Sequence, residues 1–158
     1  MTTDNNDAIA LYFGSALAQL ASVLEAQRPA MEAVAQLWTD VVLNDRLIYS
    51  FGSGHSRFIA GELYWRAGGL APVMMIEDPT KGSAERLEGY ANIFMQEYRI
   101  EPGDVVVVIS NSGINPVPIE VALCARDAGA KVIALTGLEH SRTARSRHSS
   151  GFDMSALT

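Results

Sequence analysis

Val105–Ile109 is four valines and an isoleucine with no polar interruption, and it runs directly into Ser110-Asn111-Ser112-Gly113. An apolar run this short, bounded by turn residues, reads as a strand buried on both faces, as strands of parallel sheets are. Leu47–Phe51 repeats the pattern: it breaks at Gly52-Ser53-Gly54-His55-Ser56 and turns helical to about Arg66, closed by Gly68-Gly69. Ala71–Ile76 and Lys131–Thr136 are two further strand-like runs. Helical stretches, about Ser83 to Tyr98 and Pro116 to Ala128, separate the later strands, and Glu101-Pro102-Gly103-Asp104 is a turn. Strands alternating with helices require right-handed crossovers, so the fold class is α/β, an open parallel sheet with helices on both faces.

Before the first strand lies a helical arm, residues 1–45. Ile9, Phe13, Leu17, Leu20 and Leu24 recur three or four residues apart, and Met31, Val34, Leu37 and Trp38 resume the period after Pro29. A proline inside a helix removes a hydrogen bond and clashes with the preceding turn, so two helices, or one broken at Arg28-Pro29, are expected. The apolar stripe would cover the sheet, pack on a second copy, or do both. The rest divides into the sandwich, 46–151, and a short tail, 152–158, all within one domain of 158 residues.

A net charge of −6 argues against nucleic acid as a partner. No run approaches eighteen uncharged apolar residues, and the polar start MTTDNND has no leader pattern, so no membrane partner and a cytoplasmic location are expected. The single cysteine, Cys124, suits a reducing compartment and reads as a packed core residue.

The two strand–loop–helix units carry the chemistry. A strand that passes through small hydroxyl residues into a helix N-terminus directs backbone N–H groups and the helix dipole at one point, which is an anion site. In an open parallel sheet both loops lie at the carboxyl ends of strands, where such folds bind ligands. A dinucleotide is disfavoured, since Gly52-Ser53-Gly54 continues to Arg57 where the fingerprint needs glycine or alanine, and no P-loop motif exists. Ser53 and Ser56 in the first loop, and Ser110 and Ser112 in the second, suit a compact phosphate dianion. Helix capping by Ser56 and Asn111 would explain one residue per loop, but not two hydroxyls on each. Gly52, Gly54, Asn111 and Gly113 complete the loops, and no Cys/His or carboxylate spacing suggests a metal.

FGSGHS, SNSGIN and VIALT, in this order, resemble the sugar isomerase (SIS) domain family. The longer runs YWRAGGLAPV, ERLEGYA, EPGDVVVVISNSGINPVPIE and GAKVIALTGLEHS are similar to its small phosphosugar-binding, phosphoheptose isomerase-like subgroup, over roughly residues 5 to 151. The resemblance implies a three-layer αβα sandwich on a five-stranded parallel sheet, a homodimer with sites near the subunit interface, and a sugar phosphate ligand. It assigns phosphate binding to Ser56, Ser110 and Ser112, adds Gly113 and Asn115, and places Thr136 where the family often supplies another ligand-side group. After Gly151 the resemblance ends: the family continues with a basic helix start and a strand, whereas this chain reads Phe152-Asp153-Met154, which leaves the last family strand open.

Aldose–ketose isomerisation needs a base that moves a proton between adjacent carbons, and no cofactor. Glu88 is the first candidate, because its EG pair resembles the region where the etherase branch of the family carries a catalytic glutamate. His55, within the first loop, and Glu62, one to two turns into the following helix, are the others. The expectation is a cofactor-independent phosphosugar isomerase. A non-catalytic phosphosugar sensor, and a lyase acting on an amino-sugar 6-phosphate ether, are the alternatives.

Overall fold

The computed structural model describes residues 5–157; residues 1–4 of the arm and Thr158 of the tail lie outside the described residues. The chain divides into two units, Met1–Leu37 and Trp38–Thr158. The described residues of the first belong to helix α1, Asn5–Leu43, which is continuous through Pro29. The expected break at Arg28-Pro29 does not occur. Loss of one N–H and a local clash can be absorbed where the turns on either side stay helical. Ile9, Phe13, Leu17, Leu20 and Leu24 are each half or more exposed. Over Asp7–Leu43 the helix is long and apolar enough to cross a membrane by length and composition, with an 18-residue window of mean hydropathy 1.4. The apolar character is not obvious in the sequence because Ser15, Gln19 and Ser22 are scattered through Ala8–Leu24, a stretch that carries no charge.

The second unit is a four-stranded, all-parallel sheet in the order β2-β1-β3-β4. Its strands are β1 Ile48–Gly52, β2 Val73–Ile76, β3 Val105–Ile109 and β4 Lys131–Leu135. The helices are α2 Ser56–Trp65, α3 Ala91–Phe94, α4 Pro116–Asp127 and α5 Leu138–Thr143. Because β1 has β2 on one side and β3 on the other, right-handed crossovers place α2 on one face and α3 with α4 on the opposite face. Alternate residues of β1 show both faces. The Ser50 hydroxyl donates to the Ala60 carbonyl of α2 at 2.9 Å, while Tyr49 and Phe51 join the main core with Phe94, Val106, Val108 and Val121. The three-layer αβα fold is as expected, with four strands among the described residues where the resemblance implied five.

The central strands β1 and β3 are buried along their whole length, β3 as an uninterrupted apolar run and β1 with its one polar side chain, Ser50, satisfied by the Ala60 carbonyl. The edges are less covered: Met74 of β2 and Leu135 of β4 are exposed. The larger departure lies between β2 and α3. The helix expected from Ser83 to Tyr98 shrinks to Ala91–Phe94 with a 3-10 turn at Met95–Glu97. Upstream of it the Asp78 carboxylate accepts from the N–H groups of Thr80 and Gly82, both at 2.8 Å. Lys81, Gly82 and Gly89 hold positive φ of 54°, 96° and 87°. A side chain that captures backbone donors, followed by left-handed residues, ends a helix before it can propagate.

The C-terminal segment is also built into this unit. Met154 is fully buried and Leu157 nearly so, both in the core beside α4. The Ser155 hydroxyl, foremost, holds the Asp153 carboxyl below its usual range against desolvation, with help from the Ser155 N–H and the Ser141 hydroxyl. The Ser149 hydroxyl and N–H do the same for Glu88. A depressed folded-state value means that each contact is fully present above the ordinary carboxylate range, about pH 4, and is lost as the pH falls through the lowered value. The amide resonance of Ser155 is therefore expected to hold steady from pH 7 to about 5 and to move below about 4. Movement of this amide at neutral pH would contradict the Asp153 anchor.

Candidate functional site

Strands β1 and β3 pair in parallel with Gly52 opposite Ile109, so the two serine loops leave the sheet side by side. They form adjoining walls of a cleft of about 430 Å³. Ser53, Gly54, His55 and Ser56 line it from the first loop, and Ser110, Asn111, Ser112 and Asn115 from the second.

The first loop is tightly drawn. Gly54 has φ of +55°, a backbone that favours glycine. Ser53 is buried and its hydroxyl lies 3.5 Å from Asp78 Oδ2. His55, not Ser56, is the N-cap of α2, and its side chain makes no capping bond. In the second loop the N-cap of α4 is Asn115, again without a side-chain capping bond. The capping reading of Ser56 and Asn111 therefore does not apply, and both side chains stay at the cleft.

The helix ends supply fewer free donors than the sequence pattern implies. Pro116 and Pro118 have no N–H, and the Val117 N–H donates to the Glu85 carbonyl at 3.2 Å. The Ser56 N–H donates to the Ser53 carbonyl at 3.1 Å. Hydroxyl groups, the loop backbone and the remaining helix dipole are what this cleft offers an anion.

A third wall was not foreseen. The segment after β2 brings Lys81, Gly82, Ser83 and Glu85 to the cleft. A Cβ on Gly82 would collide with the backbone of Gly54, which shows how closely this wall meets the first loop. Lys81 adds a cation beside the serine loops, and Glu85 a carboxylate whose Oε1 accepts from Asn115 Nδ2 at 3.0 Å. The signal was available in part: in a parallel sheet the carboxyl end of β2 lies at the same end as the two serine loops, so Lys81-Gly82-Ser83 after it is a candidate for the site, and the observed β2–β1 adjacency places it beside the first loop.

Other candidates sit elsewhere. Gly52 and Gly113 are behind the walls rather than on them, and Gly113 packs against the hydroxyls of Ser141 and Thr136. The Thr136 hydroxyl donates to the Asn111 carbonyl at 3.4 Å and so braces the second loop from below. Glu62 is exposed on α2 and 3.8 Å from Arg66. Glu88 is in a turn and lines a separate cleft of about 290 Å³ with Glu120, Cys124 and His148. Its carboxylate is occupied by Ser149, through the hydroxyl and, at 3.0 Å, the N–H. His148 Nε2 lies 3.7 Å from Glu88 and 3.6 Å from the buried Glu120. Cys124 is half-buried rather than core; desolvation first, then Asp127 and Glu120, push its thiol up and keep it protonated. Among the described residues no group of three or more His, Cys, Asp or Glu could hold a metal ion.

The SIS domain family matches residues 11–137. A UPF0309 protein of Halalkalibacterium halodurans is 44% identical over 141 residues, covering 84% of this chain and 58% of the relative. A UPF0309 protein of Brucella ovis is 42% identical over the same length and coverage. The chain thus spans 58% of the length of these relatives. Among solved structures, a phosphoheptose isomerase from Neisseria gonorrhoeae superposes with a TM-score of 0.70 at 22% identity, over 90% of this chain and 83% of that one. One from Francisella tularensis gives 0.68 at 20% identity, over 99% and 91%. At such identities the two structures speak for the fold.

Proposed function

Since the chain belongs to the SIS domain family, we propose that its three-walled cleft binds a phosphorylated sugar and interconverts its aldose and ketose forms by proton transfer. The observation that carries this reading is the convergence of Ser53, Ser56, Ser110 and Ser112 on one cleft, with Lys81 beside them. Four hydroxyls and a flexible cation match a phosphate dianion, and leave the rest of the cleft for polar hydroxylated carbons. Proton transfer between adjacent carbons needs a base within reach and no cofactor. Glu85 and His55 stand in the cleft and take that role in this reading. Glu62 and Glu88 lie outside it, so Glu62 would serve only across a contact with a second copy, and Glu88 only after leaving Ser149. A homodimer packed through the apolar stripe of α1, in the cytoplasm, is part of the same proposal.

The test is incubation with a panel of aldose and ketose phosphates in deuterated water. Deuterium is expected at the carbon next to the carbonyl of at least one sugar. Glu85→Gln should slow that exchange by about 10² to 10⁴-fold, the usual weight of a positioned base, and change the dissociation constant only a few-fold. Tight binding with no exchange in any sugar would replace the isomerase by a phosphosugar sensor. Release of an acid from an amino-sugar ether phosphate would replace it by a lyase.

A further inference from the structure

The segment after α5 grips three successive residues of the second loop. The Met154 N–H donates to the Gly113 carbonyl at 2.9 Å, and the Arg147 N–H to the Ile114 carbonyl at 3.0 Å. Arg147 Nη1 then donates to Asn115 Oδ1 at 2.5 Å, while Asn115 Nδ2 donates to Glu85 Oε1 at 3.0 Å. Asn115 is 7% exposed, so both ends of its amide are committed inside the protein.

An asparagine amide can turn end for end with almost no change of shape, and only its neighbours decide which way it faces. A guanidinium carries donors and no acceptor, so the atom against Arg147 must be the oxygen. The NH₂ group is then left for Glu85, which accepts it. We infer that Arg147 is a positioning residue of the cleft: by fixing the Asn115 amide it aims the Glu85 carboxylate at the bound ligand. Arg147 does not line the cleft, and its effect reaches Glu85 only through Asn115. The kinetic half of this inference rests on the sugar phosphate reading above; the structural half does not.

Two measurements separate them. The first needs no ligand: the side-chain NH₂ protons of Asn115, followed by NMR, should exchange slowly with water and show a cross-peak to the Glu85 methylene. Arg147→Met should speed that exchange by about tenfold or more and weaken the cross-peak, because Oδ1 then loses its donor and the amide is held at its NH₂ end alone. Arg147→Lys keeps a donor-only group and should restore both. The second is kinetic, on any sugar phosphate that exchanges deuterium. Arg147→Met should lower kcat about tenfold with KM within twofold, since the serine loops that hold phosphate are untouched. Asn115→Asp, which keeps Arg147 paired but turns a carboxylate toward Glu85, should reproduce the loss of kcat in a folded protein. An unchanged Asn115 amide in Arg147→Met overturns the inference, and so does a change confined to KM. If no sugar phosphate is turned over, the isomerase reading has failed and the amide measurement alone decides the role of Arg147.

Discussion

Replacing Ser56 and Ser112 together by alanine is expected to weaken sugar phosphate binding by about 10² to 10⁴-fold while the protein stays folded. Each hydroxyl would donate to a charged phosphate oxygen, and such bonds contribute about 1.5–3 kcal/mol apiece. Two lost donors therefore remove about 3–6 kcal/mol, and every 1.4 kcal/mol is about tenfold in affinity. The fold should tolerate the change because Ser56 and Ser112 are partly exposed on the cleft wall, whereas Ser53 and Ser110, which line the same cleft, are buried and also hydrogen-bonded within the protein. The Ser110 hydroxyl accepts the Gly113 N–H at 3.1 Å, so Ser110→Ala would mix a structural loss with a binding one. Calorimetric titration with the sugar phosphate that exchanges deuterium, alongside thermal unfolding, checks both halves. Unchanged affinity in the double variant would refute the anion site itself, and with it the proposed substrate class.

Most of the sheet was legible because its signal is local. A run such as VVVVI can only be buried on both faces, and the residues that end each strand name the loops at one end of the sheet. The pairing of β1 with β3, which sets Gly52 opposite Ile109, was not legible, because strand order and register depend on long-range contacts. The segment between β2 and α3 was misread for an equally physical reason. Glu85-Arg86-Leu87-Glu88 has helical spacing, but helix formation is decided by whether a nucleus survives, and Asp78 with the left-handed residues Lys81 and Gly82 prevents one. The resemblance carried by its EG pair pointed to Glu88, three residues beyond Glu85. The two carboxylates are chemically alike in the sequence. They differ only in long-range partners, Asn115 for one and Ser149 for the other. The C-terminal stretch shows the same limit. Phe152-Asp153-Met154 looks like the end of a resemblance, yet Met154 fills the core and its N–H holds Gly113.

Gly52→Ala is expected to abolish the cleft by a different route, leaving every donor in the sequence and changing only the space between them. Gly52 closes β1, and a Cβ there would approach the Ser56 carbonyl group and the Arg57 nitrogen to under 3.0 Å. These are backbone atoms of the first turn of α2, so no side chain can swing aside to make room. Either α2 shifts away from the strand end or the strand end buckles, and both pull Ser53 and Ser56 away from Ser110 and Ser112. Overpacking of this kind costs about 1–3 kcal/mol, which should appear as a lower midpoint of thermal unfolding. Sugar phosphate affinity should fall by about 10²-fold or more, as it would for the loss of two charged hydrogen bonds. Gly14→Ala is the matched control: Gly14 lies inside α1 with nothing within 4 Å of the added methyl. It should stabilise the helix by about 0.5–1 kcal/mol and leave binding alone. Wild-type affinity in a folded Gly52→Ala protein would mean that the two loops need not be held this close, and that the ligand is gripped by the second loop and the Lys81 wall without the first.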